Sequence, residues 1–197
     1  MLNTKMQDHE AILMAGTEQF SQPKGYSRSL TYGGPFKDLT PIHSRMRQSY
    51  IVAIDALNLR RSAKGINMQY TQEGVQRELT KAWAGFNTSA SGLPVPTTIA
   101  TGNWGCGVFD GDVALKSLIQ LLACSESEKV MRYYPWDDAR VQTVLPAMVQ
   151  AMQEKGVTVG QLSSLLLHDA QPGDVFQQVN DKFHLGLQLP PRPSNRN

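Results

Sequence analysis

A glycine-rich segment, TGNWGCGVFDGD at residues 101–112, has the composition of a phosphate-binding loop. It follows a β-favouring run and precedes an amphipathic stretch that is predicted to be a helix. The N-terminus of a helix offers N–H groups and partial positive charge to an anion. Glycines let the backbone approach that anion and form a nest of N–H donors; those available are Gly102, Gly105, Gly107 and Gly111. The alternative interpretation is that the glycines only make a tight turn between strand and helix.

Other reactive side chains give weaker signals. Cys106 could serve as a nucleophile, but no histidine lies near it in sequence, so a packed thiol is the favoured interpretation. The four histidines have no metal-ligand spacing, and we expect neither a metal nor a cofactor. Cys106 and Cys124 lie far apart, which argues against a disulfide framework and for a reducing compartment.

The hydrophobic pattern predicts strands that alternate with helices. The predicted strands are residues 12–14, 50–57, 97–100 and 130–134, and the predicted helices are residues 72–86, 112–124, 138–155 and 158–168. The strand at 50–57 is apolar apart from Asp55, which is typical of a strand buried on both faces. This alternation predicts an α/β domain with a three-layer arrangement, a sheet flanked by helices. Asp112 is a suitable N-cap for the helix that follows the glycine-rich segment.

Composition excludes several classes of protein. The chain has 197 residues, 41% of them hydrophobic, which suits one domain with a core. A net charge of +2 without a concentrated basic face argues against direct DNA binding. We find no apolar run long enough to span a membrane and no secretory leader, so we expect an intracellular protein. The basic run Arg60, Arg61 and Lys64 is either a solvated helix end or a contact for polymer phosphates.

The glycine-rich segment and its surroundings resemble the poly(ADP-ribose) glycohydrolase family. ATGNWGCGVFDGD, followed by a leucine-rich helix, is similar to the family's usual ATGNWGCGAFGGD. Four further segments match in the same order, GTEQFSQPKGYS, IVAIDALNLRR, QRELTKAWAGF and TVGQLSSLLL, so that the resemblance covers residues 8–168. It implies a macrodomain-like fold that binds ADP-ribose, cleavage of the ribose–ribose O-glycosidic bonds of poly(ADP-ribose), and a location in the nucleus or cytoplasm.

The resemblance also implies a set of ligand-binding residues. The diphosphate loop corresponds to Gly105, Cys106, Gly107, Val108 and Phe109, with the Phe109 ring packed on the ligand. Asn103 corresponds to an asparagine that lines the site, and Tyr26 to a tyrosine near the reacting ribose. Trp136 stands where the family has a phenylalanine that stacks on adenine, and a tryptophan preserves that stacking face.

The catalytic acid of the family has no counterpart in this sequence. The family supplies it from a GGG loop followed by Gln-Glu-Glu, and neither motif occurs here. Glu18 and Asp55 are interpreted as structural carboxylates, so no catalytic residue is assigned. We therefore expect residues 1–186 to be the C-terminal part of the catalytic domain, truncated at its N-terminal side. The proline-rich tail, residues 187–197, is expected to be disordered.

Two departures lie in the loop itself. Val108 replaces an alanine of the family pattern, and Asp110 replaces a glycine. We expect the Asp110 carboxylate to repel a diphosphate, unless its side chain points outward and caps the helix. Three functions remain open: part of a hydrolase that needs a missing N-terminal half, a degenerate non-catalytic module that binds ADP-ribose or its polymer, and a non-functional gene fragment.

Overall fold

The computed structural model describes residues 6–25, 27–93 and 96–192. The chain divides into two compact units, residues 11–53 and the described parts of Met1–Glu10 with Ile54–Asn197. Strands and helices occur together, which confirms the α/β class. Among the described residues, the strands pair into four two-stranded sheets rather than into one continuous central sheet. None of the helices in the described parts of the chain is long and apolar enough to cross a membrane.

The smaller unit is built from three antiparallel pairs. Its strands are β1 (Ile12–Ala15), β2 (Ser21–Lys24), β3 (Thr31–Pro35), β4 (Ile42–His43), β5 (Met46–Arg47) and β6 (Tyr50–Ala53). β1 pairs with β6, β2 with β3, and β4 with β5. The prediction for 50–57 is wrong in two respects, because the strand ends at Ala53 and none of its residues is fully buried. Beyond Ala53 the backbone bonds to side chains of a later helix instead of a strand, since Arg77 donates to the Asp55 carbonyl and the Leu57 N–H donates to Glu78. The next regular element is a 3-10 turn at Leu59–Arg61.

The larger unit contains a parallel strand–helix–strand unit that carries the glycine-rich segment. Its first helix is α1 (Gln72–Phe86), which matches the predicted span. The unit itself runs from β7 (Thr98–Gly102) through α2 (Val113–Glu126) to β8 (Val130–Tyr134). β7 and β8 pair in parallel, with Thr98 opposite Val130 and Gly102 opposite Tyr134. Both strands therefore end at the same edge of the sheet, where the glycine-rich segment begins.

Three further helices complete the larger unit. They are α3 (Ala139–Glu154), α4 (Val159–Ser164), which continues into a π-helical turn at Leu165–Asp169, and α5 (Val175–Lys182). Thr158 and Gln161 form a capping box at the start of α4, which explains why the helix begins there. The two helices expected at 138–155 and 158–168 are thus confirmed, whereas α5 has no counterpart in the sequence-based prediction.

The core of the larger unit is centred on α2. Leu115, Leu118 and Ile119 on α2 are completely buried, and α2 packs against α1, α3, α4 and α5. Burying each such side chain contributes about 1.5–3 kcal/mol. α2 is therefore held rigidly, and its N-terminus is a fixed platform for the loop that precedes it.

The C-terminal segment differs from its expected disorder over residues 187–192. Leu187 N–H donates to Asn180 Oδ1, and Asn180 Nδ2 donates to the Leu187 carbonyl, both at 3.0 Å. Leu187 and Leu189 pack against the core. Apolar side chains within the proline-rich stretch therefore anchor it. Residues 193–197 lie outside the described residues.

Candidate functional site

The glycine-rich segment forms the loop between β7 and α2. Asp112 caps α2 by accepting from the Leu115 N–H at 2.8 Å, as its position predicted. Its own N–H donates to Gln69 Oε1, which ties the end of the loop to the residues before α1. The start of the loop is fixed by the buried Gln120, whose amide nitrogen donates to the Gly102 carbonyl at 3.0 Å. Both ends of the loop are thus attached to buried polar groups.

Inside the loop, two glycines allow a close backbone turn. Gly105 has φ of +77°, and the Gly111 N–H donates to the Gly105 carbonyl at 3.0 Å. A Cβ at Gly111 would come within 2.7 Å of that carbonyl oxygen. Both positions therefore require glycine for local reasons, whether or not the loop holds a ligand.

Four of the backbone N–H groups in the middle of the loop have no acceptor among the described residues. Among the described residues, no hydrogen bond is made by the amides of Gly105, Gly107, Val108 and Phe109. The neighbouring amides of Trp104, Cys106 and Asp110 are used within the loop. Gly107 and Val108 are exposed. Clustered free N–H groups beside a helix N-terminus are a suitable arrangement for binding an anion.

A buried ion pair lies beneath the loop. The Lys116 ammonium forms a salt bridge with the Glu78 carboxylate, and both side chains are almost fully buried. The same ammonium lies 3.5 Å from the centroid of the Trp104 ring. A Cβ on Gly105 would lie 3.4 Å from Lys116 Nζ, so the loop backbone rests directly over this group. Burial lowers the pKa of Lys116 well below its usual value, and the Arg77 guanidinium lowers it further.

The ion pair continues into a larger network. Arg77 contacts Glu78 and donates to Asp55 Oδ2 at 2.6 Å, and Lys81 Nζ lies 2.9 Å from Asp55 Oδ1. Although burial acts in the opposite direction, hydrogen bonds and charges from Lys81 and Arg77 leave the pKa of Asp55 below its ordinary value. Asp55 is thereby committed to two cations, which fits its interpretation as a structural carboxylate.

Asn103 links the two strand ends at the loop. Its amide nitrogen donates to the Pro135 carbonyl at 3.0 Å, and its Oδ1 accepts from the Tyr133 hydroxyl at 2.9 Å. Trp136 follows directly, with φ of +57° and 87% of its surface exposed. The expected ligand residues Asn103 and Trp136 are therefore brought to the same edge as the loop, with Asn103 bonded to protein groups.

Asp110 does not cap the helix. Its carboxylate accepts from Arg60 at two points, Nε to Oδ2 at 2.6 Å and Nη2 to Oδ1 at 2.9 Å. The hydrogen bond from Arg60 is the main cause that lowers the pKa of Asp110. The helix is capped by Asp112 instead, because that residue directly precedes the first turn. The charge expected to repel a diphosphate is thus paired.

The remaining candidates are placed as follows. Cys106 Sγ donates to the Trp104 carbonyl at 3.5 Å, and burial raises the pKa of its thiol far above the usual range, which favours the packed-thiol interpretation. Trp104 packs against the core. Glu18 pairs with Arg47 at 2.7 Å in the smaller unit. Tyr26 lies outside the described residues.

Sequence reasoning missed the residues that support the loop. Lys116 and Gln120 are four residues apart in a mainly apolar helix, and both are buried. Polar side chains one turn apart on a buried face are a usable signal for a polar network. Arg60 was noted only as part of a basic run, and its pairing with Asp110, fifty residues away, had no signal in the sequence. No group of three or more His, Cys, Asp or Glu residues suited to a metal occurs in the part of the chain that the structure describes.

Comparisons with known proteins all find similarity to poly(ADP-ribose) glycohydrolases. A family model described as poly(ADP-ribose) glycohydrolase (PARG), Macro domain fold, matches residues 1–143, which include the loop and Trp136. Poly(ADP-ribose) glycohydrolase 2 of Caenorhabditis elegans is 33% identical over 191 residues, covering 90% of this chain and 38% of the relative.

Two further relatives give the same result. Poly(ADP-ribose) glycohydrolase 1 of Caenorhabditis elegans is 28% identical, covering 90% of this chain and 24% of its own length. Probable poly(ADP-ribose) glycohydrolase 2 of Arabidopsis thaliana is 31% identical, covering 80% of this chain and 36% of its own length. The chain thus spans well under half the length of these curated relatives.

Proposed function

This chain belongs to the poly(ADP-ribose) glycohydrolase family. We propose that the protein of which it forms a part hydrolyses the ribose–ribose O-glycosidic bonds of poly(ADP-ribose). Within that reaction, residues 101–112 hold the diphosphate of one ADP-ribose unit. The observation that carries this role is the set of four unbonded loop amides, among the described residues, at Gly105, Gly107, Val108 and Phe109. An anion seated there is stabilised by the N-terminus of α2.

The residues near the loop supply the other contacts of the ligand. The exposed Trp136 ring stacks on the adenine, and the Phe109 ring packs against the ligand beside the diphosphate. Asn103 holds the end of β8 next to the loop and thereby fixes the distance between these two contacts. Tyr26 remains the proposed contact near the reacting ribose.

The general acid of the reaction comes from outside these 197 residues. Cleavage of a glycosidic bond needs a protonated carboxyl group that donates to the leaving oxygen. Glu18 and Asp55 are each paired with cationic side chains, which stabilise the deprotonated form and make them unsuitable as proton donors. This chain alone therefore binds ADP-ribose and does not hydrolyse the polymer.

Binding is tested by calorimetric titration of ADP-ribose into the purified 197-residue protein. We expect a dissociation constant in the micromolar range, with inorganic pyrophosphate competing for the same site. Absence of heat from ADP-ribose, or binding that pyrophosphate leaves unchanged, would contradict the role of the loop.

Hydrolysis is tested separately with purified poly(ADP-ribose). We expect no release of ADP-ribose by this chain alone. Release at a rate comparable to that of a full-length relative would show that the acid lies within these residues. A longer protein that includes this chain and any flanking sequence is assayed in the same way. If ADP-ribose binds but the longer protein is also inactive, the second candidate function replaces the first. That second candidate is a non-catalytic module that binds ADP-ribose.

The proposal includes a location in the nucleus or cytoplasm. Cys106 and Cys124 are both free thiols, as is typical of reducing compartments. Fluorescence microscopy of a tagged protein tests this location, and accumulation in the secretory pathway would contradict it.

A further inference from the structure

Two consecutive residues that precede α1, Leu59 and Arg60, form hydrogen bonds with the glycine-rich loop. The Leu59 N–H donates to the Phe109 carbonyl at 3.2 Å, and the Arg60 guanidinium makes its two-point contact with Asp110. Leu59 is almost fully buried, so the contact is anchored in the core of the larger unit. The Arg60 side chain, by contrast, is 60% exposed.

The backbone at Asp110 explains the direction of the contact. Its φ is +59°, a conformation that aspartate tolerates better than most residues, and its N–H donates to the Gly107 carbonyl. This turn holds the carboxylate against Arg60. The planar guanidinium matches both carboxylate oxygens, an arrangement that a lysine cannot reproduce.

The charge of Asp110 matters because of its neighbours. The free amides of Val108 and Phe109 lie two residues and one residue before it. An unpaired carboxylate at this position would repel a bound diphosphate, whereas a paired one presents little net charge. The ion pair also fixes the position of Asp110, which is the residue next to Phe109 in the chain.

From this arrangement we propose that Arg60 is a positioning residue for diphosphate binding, which keeps Asp110 neutralised and turned away from the anion. The inference rests on the proposed function of the loop and deepens it. Arg60 acts through Asp110 and does not contact the ligand. Its removal is therefore harmful only while residue 110 carries a negative charge.

The test is a double-mutant cycle read out by calorimetric titration of ADP-ribose and, in parallel, of inorganic pyrophosphate. The proteins are the unaltered chain, Arg60→Ala, Asp110→Asn and the double variant. Asparagine keeps the size of the side chain and tolerates positive φ. We expect Arg60→Ala to weaken binding by about tenfold, Asp110→Asn to change it by less than about threefold, and the double variant to match Asp110→Asn.

Lys182→Ala is the matched control. Lys182 forms a similar exposed ion pair with Asp169 at 2.8 Å, remote in sequence from the loop, and its removal should leave binding unchanged. Thermal unfolding of each variant shows whether a loss of binding reflects a loss of folded protein.

The outcomes distinguish a failure of this inference from a failure of the proposed function. A double variant as weak as Arg60→Ala would mean that Arg60 contacts the ligand itself, and an unaffected Arg60→Ala would mean that the pair is irrelevant; either overturns the inference. If pyrophosphate follows the expected order while ADP-ribose does not bind, the inference stands and ADP-ribose recognition fails. If neither ligand binds any of the folded proteins, both are overturned.

Discussion

The ammonium group of Lys116 lies 3.5 Å from the centre of the Trp104 ring, and it simultaneously pairs with the buried carboxylate of Glu78. Trp104 belongs to the glycine-rich loop, Lys116 to the first turns of α2, and Glu78 to the middle of α1. The indole N–H also donates to the Ile54 carbonyl at 3.4 Å. One cation therefore connects the loop to the two helices that support it.

The first prediction concerns this buried pair. Lys116→Met keeps the length of the side chain but leaves the Glu78 carboxylate without its ammonium partner. Removing one partner of a buried pair costs about 3–5 kcal/mol in the free energy of unfolding when the other charge is left alone; because Arg77 still contacts Glu78, we expect a loss below that range. Lys116→Met/Glu78→Gln removes both charges while the glutamine still accepts from the Leu57 N–H, so it should cost less than the sum of the single variants.

Chemical denaturation of the four proteins measures these free energies. Lys129→Met serves as a control for the loss of a lysine, because Lys129 forms a hydrogen bond to the Pro96 carbonyl on the exposed surface. Strictly additive losses in the cycle would contradict the coupling between Lys116 and Glu78.

A second prediction follows from the crowding at Gly105. A Cβ there would lie 2.7 Å from the Ala56 Cβ, in a backbone conformation with φ of +77°. Gly105→Ala should cost about 1–2 kcal/mol for the left-handed conformation and about 1–3 kcal/mol for the overlap. It should also weaken ADP-ribose binding, because the loop must shift to relieve the contact.

Gly156→Ala is the matched control for that experiment. Gly156 has φ of +65°, but nothing lies within 4 Å of the position that an added methyl group would occupy, so only the conformational cost applies. Denaturation and titration of both variants separate the two effects. Equal losses of stability in the two variants would show that crowding at Gly105 contributes nothing.

The parts of the fold that sequence predicted are those with a long and regular pattern. α1 and β8 match their expected spans and α2 lies within two residues of its own, because apolar residues recur at helical spacing in the helices and β8 consists mostly of β-favouring residues. β2 to β5 were missed because they are strands of two to five residues with mostly exposed positions, such as SQPK at 21–24, which leave no alternation to detect.

In the candidate site, too, the locally determined part was predicted from the sequence and the long-range contacts were not. The loop itself was identified from its glycines, which local backbone geometry requires. Its supports, Arg60, Glu78 and Lys116, join residues that are 38 to 50 positions apart. Such pairings depend on how the helices pack, and a sequence read segment by segment contains no information about them.

The third prediction concerns the C-terminal segment. Arg192 Nη2 donates to Asp112 Oδ2 at 2.6 Å, and that same oxygen accepts from the Tyr70 hydroxyl at 3.1 Å. Arg192→Ala leaves the buried Asp112 without its counter-charge beside the loop. We expect a loss of about 1–2 kcal/mol in the free energy of unfolding, moderated because the arginine is partly exposed.

Asp112→Asn in both backgrounds completes the cycle, since asparagine still caps the helix. In the Asp112→Asn background, the effect of Arg192→Ala should largely disappear. An undiminished effect would mean that Arg192 acts through its other contact, the Gly173 carbonyl.

The fourth prediction separates the adenine contact from the diphosphate contact. Trp136 is 87% exposed, so Trp136→Ala should leave the free energy of unfolding unchanged. Stacking of a base on an aromatic ring is worth about 1–3 kcal/mol, so ADP-ribose binding should weaken by roughly 5- to 150-fold. Pyrophosphate has no base to stack, and its affinity should not change.

Trp83→Ala, which alters a partly exposed tryptophan on α1, controls for the loss of an indole. Equal weakening of both ligands by Trp136→Ala would mean that the residue shapes the loop instead of holding adenine.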